Sequence, residues 1–148
     1  MVTTVRQLLA SKGHRVWSVP PNATVYEALS LMAEKNIGAV LVMDEEGICG
    51  IFSERDFARR VGLAGKQPTQ TPVKEVMTRR ILVVHPEQTI HQCMALMTEK
   101  RLRHLPVVEG EDLVGLVSIG DVVKAVISDQ EFMLGQLETY IMGHAVPG

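Results

Sequence analysis

GIFSERD, residues 50–56, passes from an apolar, strand-like run into a polar, helix-like start with no turn residue between, and GLVSIGD at residues 115–121 does the same. The two stretches are in register at an offset of 65, where residues 16–61 align without a gap on residues 81–126. Val19 and Val84, Pro21 and Pro86, Thr24 and Thr89, Met32 and Met97, Gly50 and Gly115, Ser53 and Ser118, and Asp56 and Asp121 are among the identical pairs. Many other pairs exchange one apolar residue for another, such as Val25 with Ile90 and Ile51 with Leu116. The chain is therefore a tandem duplication, and each copy is read as one supersecondary unit.

Each copy opens with a short β-branched stretch, VWSV at 16–19 and ILVV at 81–84, followed by a proline that suits a strand end. Thr24 with Glu27, and Thr89 with Gln92, have the spacing of a capping box, and apolar residues then recur at helical intervals (Val25, Ala28, Met32; Ile90, Cys93, Met97). Two apolar runs follow in each copy, joined by the acidic, glycine-bearing turns DEEG at 44–47 and EGED at 109–112. A second helix is expected from Ser53 and from Ser118. Each copy thus reads strand, helix, strand, strand, helix, a mixed α/β fold. A unit this small cannot bury both faces of its own sheet, so the copies are expected to pair with pseudo-twofold symmetry.

The expected boundaries are a helical extension at 1–15, the first repeat at 16–62, a linker at 63–80, the second repeat at 81–127 and a C-terminal helix and tail at 128–148. The stretch GLAGKQPTQTP at 62–72 has linker composition. In the tail, Met133, Leu137, Tyr140 and Ile141 share a helical face, which either packs on the chain's own core or forms a dimer contact.

Composition narrows the function. The 148 residues are 46% hydrophobic and 22% charged with a net charge of -2, the make-up of a globular protein. That charge balance, with one tryptophan, two tyrosines and three phenylalanines, argues against a nucleic-acid surface. No apolar run approaches the ~20 residues of a membrane helix, and no secretory h-region opens the chain, so a soluble, cytoplasmic protein is expected. Cys49 and Cys93 lack the spacing of a zinc or disulfide framework and read as reduced core residues. His85 and His91 share no helical or strand face, so no metal site is expected. There is no nucleophile elbow, glycine-rich phosphate loop or catalytic carboxylate pair, so no enzyme and no catalytic cofactor is expected.

The Ser-x-x-Asp at each strand-to-helix junction carries two readings. As a cap, the serine satisfies a helix-start N–H, a common device contributing ~1 kcal/mol. As a site, the unpaired N–H groups at the helix start attract an anion, while the aspartate one turn on can accept both hydroxyls of a ribose. Arg55 leans slightly toward the second reading, because a cation in the first turn opposes the helix dipole and a bound phosphate would offset that, as Glu54 beside it also could.

The arrangement resembles a tandem pair of CBS domains, named after cystathionine β-synthase, and SERD with Phe57, Ala58 and Arg59 resembles the stand-alone bacterial type. The resemblance covers residues 16 to 127 and rests on the Gly-x-x-Ser-x-x-Asp ending in both copies. It implies a regulatory module binding an adenine nucleotide in the cleft between repeats. It also implies phosphate contacts for Ser53 and Ser118 and ribose contacts for Asp56 and Asp121. The adenine would lie among Trp17, Val19, Pro20, Ile37, Gly38 and Ala39 in the first copy. In the second it would lie among Ile81, Val83, Arg103 and His104, where Arg103 is either a phosphate contact or a surface partner of Glu99.

Among ligands of such a family, AMP or NAD is expected first and ATP next; S-adenosylmethionine is disfavoured because its cation would meet Arg55. Charge at Arg55 also ranks the first site ahead, so that Asp56→Ala should weaken binding more than Asp121→Ala. The resemblance further implies a homodimer that signals occupancy to a downstream protein. The alternatives are an interaction module with no physiological nucleotide, and an enzyme acting on nucleotides.

Overall fold

The computed structural model describes residues 3–145, apart from the side chains of Tyr140 and of 142–145. The chain divides into two compact units. Residues Arg15–Leu82 form one, and the segment up to His14 joins the chain from Val83 onward in the other.

In the unit 15–82 the elements are β1 (Ser18–Val19), α2 (Val25–Lys35), β2 (Ala39–Asp44), β3 (Gly47–Ser53) and α3 (Glu54–Asp56), which continues as a π-helical segment, Phe57–Gly62; α1 (Val5–Lys12) belongs to the other unit. The Thr24 hydroxyl starts α2 by accepting the Glu27 N–H at 3.1 Å, although the reciprocal half of the expected capping box is absent from the bonds observed. Val25, Ala28 and Met32 bury one stripe of α2, as their spacing requires. The helix ends at Asn36 in the left-handed conformation. β1 runs parallel to β2, and β2 antiparallel to β3, giving sheet order β1-β2-β3.

The other unit holds α1 (Val5–Lys12), α4 (Ile90–Lys100), β4 (His104–Glu109), β5 (Asp112–Ser118) and α5 (Ile119–Ala145). Here the capping box is complete: Thr89 and Gln92 each bond the other's backbone N–H. α4 buries Ile90, Cys93 and Met97 and stops at Arg101, the counterpart of Asn36 and likewise left-handed. The β4–β5 hairpin repeats β2–β3 down to its irregularity, between Val107 and Val108 here and between Val42 and Met43 in the first copy. The expected opening strand at 81–84 shortens to a bridge between Val84 and Val107. A stretch preceding a repeat needs only one or two backbone bonds to dock, and Val84 makes them to Pro106 and Val108.

The segment expected as linker is structural. Val73–Glu75 forms a 3-10 turn; Val73 N–H donates to Ala23 O at 2.7 Å, and Thr78 exchanges both backbone bonds with Ile51. Val73, Val76 and Met77 enter the same buried cluster as Val25, Val40 and Phe52. The other unit repeats this with the N-terminal extension: Val5 N–H donates to Gln88 O at 2.8 Å, and Ile90 N–H to Thr3 O at 3.0 Å. Each repeat is completed by the segment that precedes the other repeat in sequence. Glycine is needed where those segments press on the hairpins. A Cβ at Gly50 would sit 2.6 Å from Met77 Sδ and 2.8 Å from Thr78 O, and one at Gly115 would sit 2.7 Å from Leu9 Cδ2.

The boundary expected at 127/128 falls inside α5, one continuous helix of 27 residues. Its tail does not pack on the chain's own core: Met133, Leu137 and Ile141 are half exposed or more. Tyr140, the remaining member of that face, has its side chain outside the described residues. Cys93 is buried, which pushes its thiol up to about 11, whereas Cys49 is half-buried rather than in the core.

Candidate functional site

Both strand-to-helix junctions form as caps. Ser53 Oγ accepts the Asp56 N–H at 3.2 Å and Asp56 Oδ2 accepts the Ser53 N–H at 3.0 Å; Ser118 and Asp121 do the same at 3.1 and 2.9 Å. The first helical N–H is also taken. Glu54 N–H donates to Gly38 O at 3.0 Å, and Ile119 N–H to Arg103 O at 2.9 Å. This corrects the expectation of unpaired donors at the helix starts: the residue before each second strand turns its carbonyl onto the helix and takes up one of them. An anion here depends on side chains more than on backbone.

What the junctions fix rigidly is the carboxylates, and the two differ. Asp56 is buried. Its Oδ2 also accepts Ser53 Oγ–H at 3.1 Å, its Oδ1 accepts Thr78 Oγ1–H at 2.8 Å, and Arg60 Nε stands 3.9 Å away. Three donors leave little of a carboxylate's capacity of roughly four bonds. Asp121 is more open, with its side chain 26% exposed against 11% for Asp56. Its Oδ2 meets Lys12 Nζ at 2.5 Å, and the same ammonium donates to Leu116 O. Burial alone would raise the Asp121 carboxyl, but the Lys12 ammonium and the Ser118 N–H outweigh it and hold it below its ordinary value.

Beside this pair lies a cavity of about 340 Å³, lined among others by Ser11, Lys12, Asp121, Lys124 and Ser128. Its volume is at the lower end of ligand pockets, roughly 300–1,000 Å³.

The remaining expected residues distribute as follows. In the unit 15–82, strand register sets Ala39 opposite Ser53, so Ile37, Gly38 and Ala39 adjoin the Ser53–Asp56 junction. Ala39 is buried, Ile37 half-buried and Gly38 exposed. Val19 is buried in β1 and Pro20 is exposed just after it. Trp17 is half-buried, with the Arg15 guanidinium 5.3 Å and the Lys35 ammonium 4.3 Å from its ring centroid, so cations already face the indole. Arg55 is exposed in α3. In the other unit, His104 stands opposite Ser118 in the hairpin, half-buried, and Arg103 is exposed with its carbonyl on Ile119. Ile81 falls in the unit 15–82 and Val83, exposed, in the other. His85 Nδ1 lies 2.9 Å from Val108 O, and among the described residues no group of three His, Cys, Asp or Glu is placed to hold a metal.

Two residues holding the aspartates, Thr78 and Lys12, are missed by the offset of 65. A second register would have shown the segments that carry them, though not the two residues as a pair: at an offset of 68, VRQLL at 5–9 aligns with VKEVM at 73–77, residue type by residue type. The copies begin earlier than the ungapped match and lose three residues on the way.

Comparison with known proteins agrees with that longer span. The CBS domain family matches residues 5–62 and 73–128. CBSX3 of Arabidopsis thaliana, a mitochondrial CBS domain-containing protein, is 35% identical over 151 aligned residues, covering 95% of this chain and 73% of its own. A CBS-domain protein of Burkholderia ambifaria MC40-6 superposes with a TM-score of 0.82 at 51% identity, covering 86% of this chain and 96% of its own. A CBS domain pair solved with 5'-methylthioadenosine and S-adenosyl-L-methionine shares the fold, with a TM-score of 0.75 at 22% identity over 87% of this chain and 99% of its own. The duplicated junctions, the segments that complete each repeat and these likenesses agree: the chain belongs to the CBS-domain family as a tandem pair.

Proposed function

We propose that the chain is a non-catalytic regulatory module that binds an adenine nucleotide, AMP or NAD before ATP, and signals its occupancy to a protein partner as a cytoplasmic homodimer. The observation that carries this is the fixed, part-open Asp121 carboxylate paired with Lys12 beside a cavity of about 340 Å³. A carboxylate held in this way accepts the two hydroxyls of a ribose, and an ammonium next to it meets a phosphate. Lys12 opposes a cationic adenosyl ligand for the same reason that it favours an anionic one. That a protein of the same fold is described with adenosyl molecules is compatible with this ligand class.

Charge at Arg55 ranked the first copy ahead, whereas the carboxylate geometry favours the second. Calorimetric titration with AMP, NAD and ATP tests the reading. Binding is expected, weakened about tenfold or more by Asp121→Ala and less by Asp56→Ala, with ATP and NAD recovered intact after long incubation. Failure of all three to bind at millimolar concentration overturns the nucleotide reading.

A further inference from the structure

Val123, Ile127, Gln130, Leu134, Leu137 and Ile141 follow one another along α5 in alternating steps of four and three, the spacing that lays a seam along one side of a helix. The five apolar members are each between 42% and 59% exposed, and Gln130 is exposed as well. Such a stripe is costly to leave in water, and its heptad form fits another helix better than a flat surface or a small ligand.

We propose that α5 pairs antiparallel with α5 of a second copy of this chain. The proposal rests on the homodimer reading above and names its interface. The seam is self-complementary under a twofold axis near residue 132. Val123 then meets Ile141 of the second copy, Ile127 meets Leu137, and Gln130 meets Leu134, with every layer repeated by symmetry.

The flanking positions decide direction. Antiparallel pairing sets Lys124 beside Glu138 of the second copy, twice, and Met133 beside Met133; against these stand Glu131 beside Glu131 and the two layers that set the Gln130 amide against Leu134. Parallel pairing would set Val126 against Glu131 and Met133 against Glu138, with no ion pair gained. About ten positions per chain is fewer than the ~20–30 residues a side of a standard interface, so the dimer is expected to dissociate at micromolar concentration.

Sedimentation of the full chain without nucleotide, across a concentration series, tests this. Leu134→Glu with Leu137→Glu alters residues exposed in the single chain, so the fold should persist by circular dichroism, and the variant should stay monomeric at every concentration. Lys124→Glu and Glu138→Lys should each weaken the dimer by about 2- to 10-fold. Combined in one chain, they should restore it to within about twofold. A dimer unchanged in the double-glutamate variant assigns dimerisation to another surface and overturns the helix pairing while the homodimer reading stands. A wild-type chain monomeric at millimolar concentration overturns both, and combined charge exchange without recovery overturns the antiparallel direction.

Discussion

Asp121 is the carboxylate proposed to meet a ribose, and the fold already holds it through Lys12 and Ser118. Burial pushes its carboxyl up, but the Lys12 ammonium and Ser118 together outweigh burial and hold it low. A folded-state value below the unfolded ~3.9 stabilises the fold at pH above that range, and the contribution is lost as pH falls through the lowered value. Thermal unfolding of wild type and Asp121→Asn should therefore differ most near neutrality and converge as pH falls below that lowered value; a gap that stays equal throughout would detach the effect from ionisation. The glycines beneath the two hairpins give a second comparison at this scale. At Gly50 an added methyl meets backbone, Thr78 O, whereas at Gly115 it meets only the movable end of Leu9. Gly50→Ala is expected to cost about 1–3 kcal/mol in denaturant unfolding and Gly115→Ala less, the reverse order contradicting the packing described.

Among elements, the two segments that precede the repeats matter most. α1 and the turn at Val73–Glu75 occupy matching places, each bonded to the loop before a repeat's first helix and pressed under a hairpin glycine. They differ in how they meet the aspartate: a neutral hydroxyl from Thr78 in one case, a lysine ammonium in the other. Removing residues 1–12 should accelerate amide exchange in β4 and β5 while β2 and β3 stay protected. Uniform acceleration would mean that α1 does not belong to one unit alone.

For the whole molecule, the duplication makes most of the fold legible in the sequence. Helices α2 and α4, both hairpins and both junctions follow from spacing that local physics enforces: a threonine cap, a buried stripe, an acidic turn. The failures are nonlocal. GLAGKQPTQTP has the composition of a free linker, and nothing local in VKEVM announces that Val73 and Met77 will complete a core begun some fifty residues earlier. Likewise the sequence ranked the two aspartates by the charge of Arg55 beside the first, whereas the partners brought in from Thr78 and Lys12, which motif spacing does not announce, distinguish them in the structure. The tail was legible as a helix but not as part of the one that starts at Ile119, because Ser128, Asp129 and Gln130 interrupt its apolar character without interrupting its backbone.

The way α1 completes the second repeat has a consequence for synthesis. Residues 15–82 form a contiguous unit that can finish folding while the rest of the chain is still being made. α1 leaves the ribosome before either repeat but finds its partner surface only when β4 and β5 emerge. At roughly 5–20 residues per second, it waits several seconds with Val5, Leu8 and Leu9 exposed to the cell. The second repeat is thus the last to be assured, and the opening segment of the chain is its most vulnerable part during birth.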